Sequence, residues 1–226
     1  MRDSYEQGER MVIPGGISLF EGLSSEEVLK LLSCFGVRER KCARGEAVIS
    51  RGDKVDSLGI VLSGSLQIHR DAEDGTRAII ASIDRGAVFA EAFACAGVER
   101  CPVSVIAVED SSVLFLPFRK LVQTCSTACA FHSRVIMNLL GLFARKNLTL
   151  SAKLDVLSQR SIRGKLMTYL SSVSGAERGA PFTIPFMRHE LSDYLCVDRS
   201  ALSRELGKMR KEGLITVSGN LFTLHF

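Results

Sequence analysis

Side chains able to read a polyanion concentrate in one late stretch, His189 to Leu206. Leu191 and Leu195 would give a first helix one apolar face, Val197 packs in the turn, and Leu202, Leu206 and Met209 give a second helix its own. Asp198 stands where an N-cap acceptor belongs. The helix beginning there directs Arg199, Ser200, Ser203 and Arg204 outward on its first turns, followed by Lys208, Arg210 and Lys211. An arginine can take guanine O6 and N7 together, a serine can reach a base or a phosphate, and the lysines, Lys208 first, suit phosphate contacts that set affinity. Helix-turn-helix patterns also serve protein-protein modules, and Arg204 with Glu205 reads equally as a solvated helix face.

Other reactive side chains form no complete constellation. The seven cysteines lack a framework spacing and are expected to be reduced thiols. Cys95 and Cys101 read either as a redox pair or, more commonly for this residue type, as small buried hydrophobes. Cys125 and Cys129 lie one helical turn apart, but His132 alone does not complete a metal site, so none is expected. Haem through His69 or His132 is disfavoured because a lone histidine is more often structural, and no cofactor is expected. With no nucleophile-base set, P-loop or metal quartet, the chain does not read as an enzyme.

These residues need elements to position them. Leu23 to Phe35 reads as a short helix with Ser24 and Glu27 spaced as a capping box. Short β-rich runs follow at Ala47 to Ser50, Ser57 to Leu62, Ser65 to His69, Arg77 to Ile83, Val103 to Val108 and Ser112 to Leu116. Gly45, Gly52, Gly64, Gly75 and Gly86 punctuate them, a pattern that argues for a small antiparallel β-barrel or jelly roll. From about Ser126 the period changes: Ile136, Leu140, Phe143, Asn147, Leu150, Leu154 and Leu157 follow in 4-3 steps. Such a stripe needs either a second copy of the chain, with Asn147 fixing register, or its own barrel as partner. Helices are expected at Ile162 to Val173, His189 to Leu195 and Arg199 to Glu212, a β-like run at Phe182 to Ile184, and a hairpin of Leu214 to Val217 and Leu221 to Leu224. The fold class is α+β, divided into a barrel over 1–125, a dimerisation helix over 126–158 and a winged helix-turn-helix over 159–226.

This layout resembles the CRP/FNR superfamily of bacterial transcription regulators from about Leu19 to Phe226. The resemblance rests on Lys41-x-x-Arg-Gly-Glu, Arg51-Gly-Asp, Leu62-Ser-Gly-Ser, Ala107-Val-Glu-Asp-Ser, the long helix and the run from Asp198 to Leu206. It implies a cyclic-nucleotide-binding-type barrel, a homodimer, palindromic double-stranded DNA, RNA polymerase as a partner if the protein activates, and DNA-contacting roles for Arg199, Ser200, Ser203 and Arg204. Two departures stand out: Met187 where the family usually caps the first helix with Thr or Ser, and Cys196 where the turn usually has Gly. A turn that needs positive φ would strain Cys196.

In members that bind cyclic AMP, a cassette supplies a glutamate for the ribose and an arginine-serine pair for the phosphate. Glu91 falls on the glutamate position, but Cys101 and Pro102 stand where the pair belongs, with Arg100 one residue away. A phosphate there would lose its cation and a hydroxyl, and Pro102 has no N–H. The expected pocket is therefore mostly apolar, walled by Phe89, Phe93, Val103 and the long helix near Asn147, Leu150 and Ser151, and suited to a small organic effector.

The bulk numbers agree with two modest domains: 226 residues, 46% hydrophobic and 24% charged, with a net charge of +4. No apolar run is long enough to span a bilayer, so no membrane association is expected, and the charged stretch Met1 to Ile13 lacks the core of a secretory signal. A cytoplasmic location is the expectation. The readings left open are a ligand-independent repressor and a signalling adaptor that never touches DNA.

Overall fold

The computed structural model describes residues 15–71, 77–123, 130–174 and 179–225. The chain forms two compact units, Met1–Phe143 and Ala144–Phe226, and each is considered by itself.

In the first unit a 3-10 turn, Ser18–Phe20, leads into α1, Ser25–Phe35. The capping box closes as the spacing required. Ser24 Oγ accepts from the Glu27 N–H at 3.3 Å, and Glu27 Oε2 accepts from the Ser24 N–H at 2.7 Å. Among the described residues eight strands follow: β1 Arg38–Cys42, β2 Ala47–Ile49, β3 Ser57–Ser63, β4 Leu66–Asp71, β5 Arg77–Ile83, β6 Val88–Phe89, β7 Ser104–Ala107 and β8 Ser111–Pro117. They form two antiparallel four-stranded sheets, ordered β1-β8-β3-β6 and β2-β7-β4-β5. Two short helices interrupt them, α2 (Glu91–Ala96) between β6 and β7, and α3 (Phe118–Val122) after β8. This is the expected jelly roll.

The first sheet is covered on both faces, which is why β3 and β8 read as nearly continuous apolar runs rather than alternating ones. Leu58, Ile60, Leu114 and Leu116 pack with Leu31 and Phe35 of α1 in one core cluster. The intervening Val61 and Val113 face the second sheet and pack with Leu66, Val105 and Phe89 in another. β1 escaped the sequence reading because Arg38 to Lys41 are exposed on a sheet edge and carry charge rather than alternation. Four of the five expected turn glycines have positive φ, Gly45, Gly52, Gly64 and Gly86, while Gly75 lies outside the described residues.

α4 is described over Ala130–Ser158, and 126–129, where the period change falls, lie outside the described residues. It carries two stripes. Val135, Leu139 and Leu142 are buried in the α1 side of the barrel core. Along the 4-3 stripe, Ile136 and Phe143 lean on that same core, while Leu140, Leu150 and Leu154 are 56%, 65% and 66% exposed.

The second unit holds the remainder of α4, then α5 Ile162–Val173, β9 Phe182–Thr183, α6 Arg188–Leu195, α7 Arg199–Lys211, β10 Ile215–Ser218 and β11 Leu221–Leu224. The three strands form an antiparallel sheet ordered β10-β11-β9. Its core joins Leu166 and Leu170 of α5, Leu191 and Leu195 of α6, Leu202, Leu206 and Met209 of α7, and Ile215 and Phe222 of the sheet. Three helices and a hairpin make the expected winged helix-turn-helix.

Two backbone positions yield tests of this packing. Gly64 has φ of +78°, and a Cβ there would lie 2.2 Å from Ser111 Oγ and 2.7 Å from the Asp110 carbonyl. Gly64→Ala is expected to cost about 3 kcal/mol by combining left-handed backbone strain with overpacking; an unchanged urea midpoint would contradict the register of β3, β4 and β8. Cys196 ends α6 at φ 51°, ψ 57°, the left-handed region foreseen for the turn. Cys196→Gly should raise stability by about 1 kcal/mol in thermal melting, and a fall would show that the thiol contributes more than the strain costs.

Candidate nucleic-acid interface

α7 is divided by burial. Leu202, Leu206 and Met209 are buried at i, i+4 and i+7, whereas Arg199, Ser200, Ser203, Arg204 and Lys208 are all exposed. All five expected DNA-facing side chains therefore share the solvent side of one helix, with Arg210 and Lys211 exposed further along. Asp198 caps this helix: Oδ1 accepts from the Ala201 N–H at 2.8 Å and from the Ser200 hydroxyl at 2.6 Å. These hydrogen bonds, the Ser200 contact foremost, hold the Asp198 carboxyl below its ordinary range. Ser200 thereby has its proton committed to the cap, so its oxygen is better placed to accept than to donate. Ser203 carries no such commitment among the described residues.

The acidic residues of the same helix turn elsewhere. Arg163, on the first turn of α5, donates from Nε to Glu205 Oε1 at 2.6 Å and from Nη1 and Nη2 to the two Glu212 oxygens at 2.7 and 2.9 Å. Glu205 is thus paired across helices with Arg163 and half-buried, whereas Arg204 beside it is exposed. The Arg163 fork holds the Glu212 carboxyl below the usual carboxylate range, and both carboxylates hold the guanidinium charged.

α6 is held at both ends. Met187 supplies no side-chain cap, so of the two reciprocal bonds of a capping box the one remaining is Glu190 Oε2 accepting from the Met187 N–H at 2.6 Å. At the other end two ammonium groups meet the last carbonyls: Lys153 of α4 donates to Tyr194 C=O, and Lys165 of α5 donates to Leu195 C=O at 3.0 Å. Lys153 Nζ also lies 3.3 Å from the centre of the Tyr194 ring, and burial pushes its pKa down. Tyr194 in turn packs against Phe186 and Tyr169, with ring centres 4.8 and 5.0 Å away. Arg163, Lys153 and Lys165 were not foreseen as functional residues, because each acts on a partner 30 or more positions away and carries no local signature.

The residues expected to form the sensor pocket divide between the units. In the barrel, Phe89, Cys101 and Val103 are buried in the core between the sheets and Phe93 packs against it. The Phe89 ring lies directly on Gly59, where a Cβ would come within 2.3 Å of Cζ, and meets Phe115 edge-on with centres 6.3 Å apart. Glu91, the first residue of α2, is 5% exposed, and Arg100 is exposed. The residue before Glu91, Ala90, has φ of 59°, and no glycine in the sequence flags that left-handed corner. Cys101 is 2% exposed, and its N–H donates to Asp53 C=O while its C=O accepts from the Gly52 N–H, both at 2.8 Å. On α4, Asn147, Leu150 and Ser151 are exposed, and the Ser151 hydroxyl donates to Asn147 Oδ1 at 3.3 Å.

The cysteine and histidine candidates also resolve locally. Cys95 packs against the α1 side of the core and Cys101 in the cluster between the sheets. Burial, with Glu91 adding to it, pushes the Cys95 thiol up to about 11, which keeps it protonated and poorly nucleophilic. Cys125 and Cys129 lie outside the described residues. His132 is buried edge-on against Phe35 at 4.9 Å, and His69 Nε2 lies 3.2 Å from Gln67 Oε1 on β4. Among the described residues no helix is long and apolar enough to cross a membrane, and no cluster of His, Cys, Asp and Glu could hold a metal.

Known proteins share both units. Residues 39–128 match the cyclic nucleotide-binding domain family, and residues 164–225 match the Crp-like helix-turn-helix domain family. The chain is 30% identical over 200 residues to the cyclic AMP receptor protein of Thermus thermophilus, covering 88% of each. It is 23% identical to the fumarate nitrate reduction regulatory protein of Klebsiella oxytoca, over 83% of this chain and 74% of that one. The crystal structure of the Thermus thermophilus catabolite activator protein superposes with a TM-score of 0.55 at 27% identity, covering 92% of this chain and 93% of that one. Carrying the nucleotide-binding-type jelly roll, the long helix and the winged reading head in that order, the chain belongs to the CRP/FNR family of DNA-binding transcription regulators.

Proposed function

We propose that the protein is a homodimer that reads palindromic double-stranded DNA with α7 of each subunit and is controlled by a small organic effector held in the barrel. The observation that carries the DNA reading is the division of α7, with its leucines and Met209 buried and Arg199, Ser203, Arg204 and Lys208 all exposed. Arg199 and Arg204 read base edges, while Lys208 meets phosphate. The exposed stripe through Leu140, Leu150 and Leu154 supports pairing along α4, since it leaves large apolar side chains in water on a strict coiled-coil spacing. Two reading heads related by a two-fold axis would address half-sites roughly 34 Å apart. If the protein activates transcription, RNA polymerase is its further partner.

One relative is named for cyclic AMP, but the residues here support a different effector. The position of the phosphate-binding arginine is taken by Cys101, whose side chain is buried and whose N–H is spent on Asp53, and Pro102 has no N–H to offer. Effector control would run as a population shift: a ligand preferring one arrangement of the α4 pair tenfold shifts the equilibrium by about 1.4 kcal/mol. Lys153 offers a route, because it ties the last turns of α4 to the end of α6 across the connection at Ser158 to Ser161. A second reading, a ligand-independent repressor with the barrel as scaffold, is favoured by the Phe89 ring seated on Gly59 among Cys101 and Val103. Mass and absorbance spectra of protein purified from its native host separate the two: a stoichiometric small molecule supports effector control, and an empty protein whose DNA affinity no extract fraction alters supports the scaffold.

Three substitutions test the rest. Arg204→Ala should weaken binding to a selected operator by about 1–3 kcal/mol while sedimentation still reports a dimer. Lys208→Ala should weaken all duplexes alike and reduce the salt slope by about 1. Leu150→Glu should give a monomer at micromolar concentration, and an intact dimer would remove α4 as the interface.

A further inference from the structure

The structure assigns Arg163 as the positioning residue of the recognition helix: its guanidinium grips Glu205 and Glu212 together and sets the roll of α7 beneath the DNA. The inference rests on the reading of α7 as the recognition element and adds what holds that element at one angle. Buried leucines and a methionine keep α7 against α5 and α6, but such contacts are tolerant of small slides and rolls. A planar five-donor fork is not. Here all three nitrogens are engaged, one edge on Glu205 and the bidentate face on Glu212. The two carboxylates are seven residues apart, which places them two turns from each other on one face of the helix. A single rigid group clasping two points along an axis restrains both roll and tilt.

The tolerance that matters is small. With side chains reaching about 6 Å from the helix axis, a roll of about 20° carries the tip of Arg204 some 2 Å, beyond the few tenths of an ångström a bidentate base contact accepts. The pairing also offsets one of the two negative charges on a helix that presents Arg199, Arg204, Lys208, Arg210 and Lys211. Arg163 lies two residues past Ser161, whose hydroxyl caps α5, so the same contact starts where the chain leaves α4.

The two contributions, orientation and charge, give opposite expectations when the acids are removed. The test uses the full-length protein, a duplex selected by the wild type from a random library, and an unrelated duplex of equal length, with affinities measured across a salt series. Arg163→Gln should lower the ratio of specific to non-specific affinity about tenfold, specific binding falling well beyond the modest loss of non-specific binding that removal of one cation brings. Glu205→Gln with Glu212→Gln should lower the same ratio even though it makes the helix more cationic and strengthens non-specific binding. Arg163→Lys keeps the charge without the fork and should recover only part of the discrimination. A merely structural role would move both affinities together in step with melting temperature. An unchanged ratio in Arg163→Gln, or a raised ratio in the double glutamine variant, overturns the inference. Arg204→Ala in the same titration keeps the premises apart: if that variant binds the selected duplex like the wild type, or if no duplex is selected at all, the reading of α7 fails independently of Arg163.

Discussion

Everything the reading head can do depends on which side of α7 is out of water, and that is settled by Leu202, Leu206 and Met209. Each buried side chain of this kind is worth about 1.5–3 kcal/mol, far more than any exposed ion pair on the helix surface. Rolling α7 enough to hide Arg204 would pull these three side chains from Leu166, Leu191 and Leu195 and place a guanidinium in an apolar core. The cations therefore face solvent as a consequence of the core. The polar contacts refine that outcome: Asp198 sets where the helix begins, and Arg163 sets its angle. Lys153 and Lys165 then close the end of α6, so the turn at Cys196 can adopt left-handed backbone without leaving its carbonyls unmet.

A similar division governs the first unit and α4. Because the β3-β8 sheet is covered by helices on one face and by the second sheet on the other, its strands have no polar side to spare, unlike the corner between β6 and β7. That corner holds the left-handed Ala90, the buried Glu91 and, across the loop, Cys101 tied by its backbone to Gly52 and Asp53. Cys101 thus stands where the resemblance would place a phosphate-binding arginine, a difference of residue that leaves the fold unchanged. On α4, Val135, Leu139 and Leu142 commit one stripe to the barrel core, and Leu140, Leu150 and Leu154 are exposed. Of the two partners weighed for this helix, the barrel core takes one stripe, and the adjacent exposed stripe is the one the proposed dimer would cover.

The sequence by itself determined whatever depends on neighbours a few residues apart. The Ser24–Glu27 box, the positive-φ glycines, the 4-3 stripe, the cap at Asp198, the strained turn at Cys196 and the outward cations of α7 all follow from period and local stereochemistry. β1 and the short β6, α2 and α3 did not, since a charged edge strand and elements of two to six residues show no period to read. Only the tertiary structure decided what crosses long separations: that Glu205 turns to Arg163 rather than Arg204, that two lysines converge on the end of α6, that Phe89 lies on Gly59, and that Cys95 and Cys101 occupy different core clusters. The reason is physical. A helix or turn is closed by hydrogen bonds three to four residues apart, so its rules are written locally, whereas the partner of an ionic or aromatic side chain is chosen by which surfaces the core brings together.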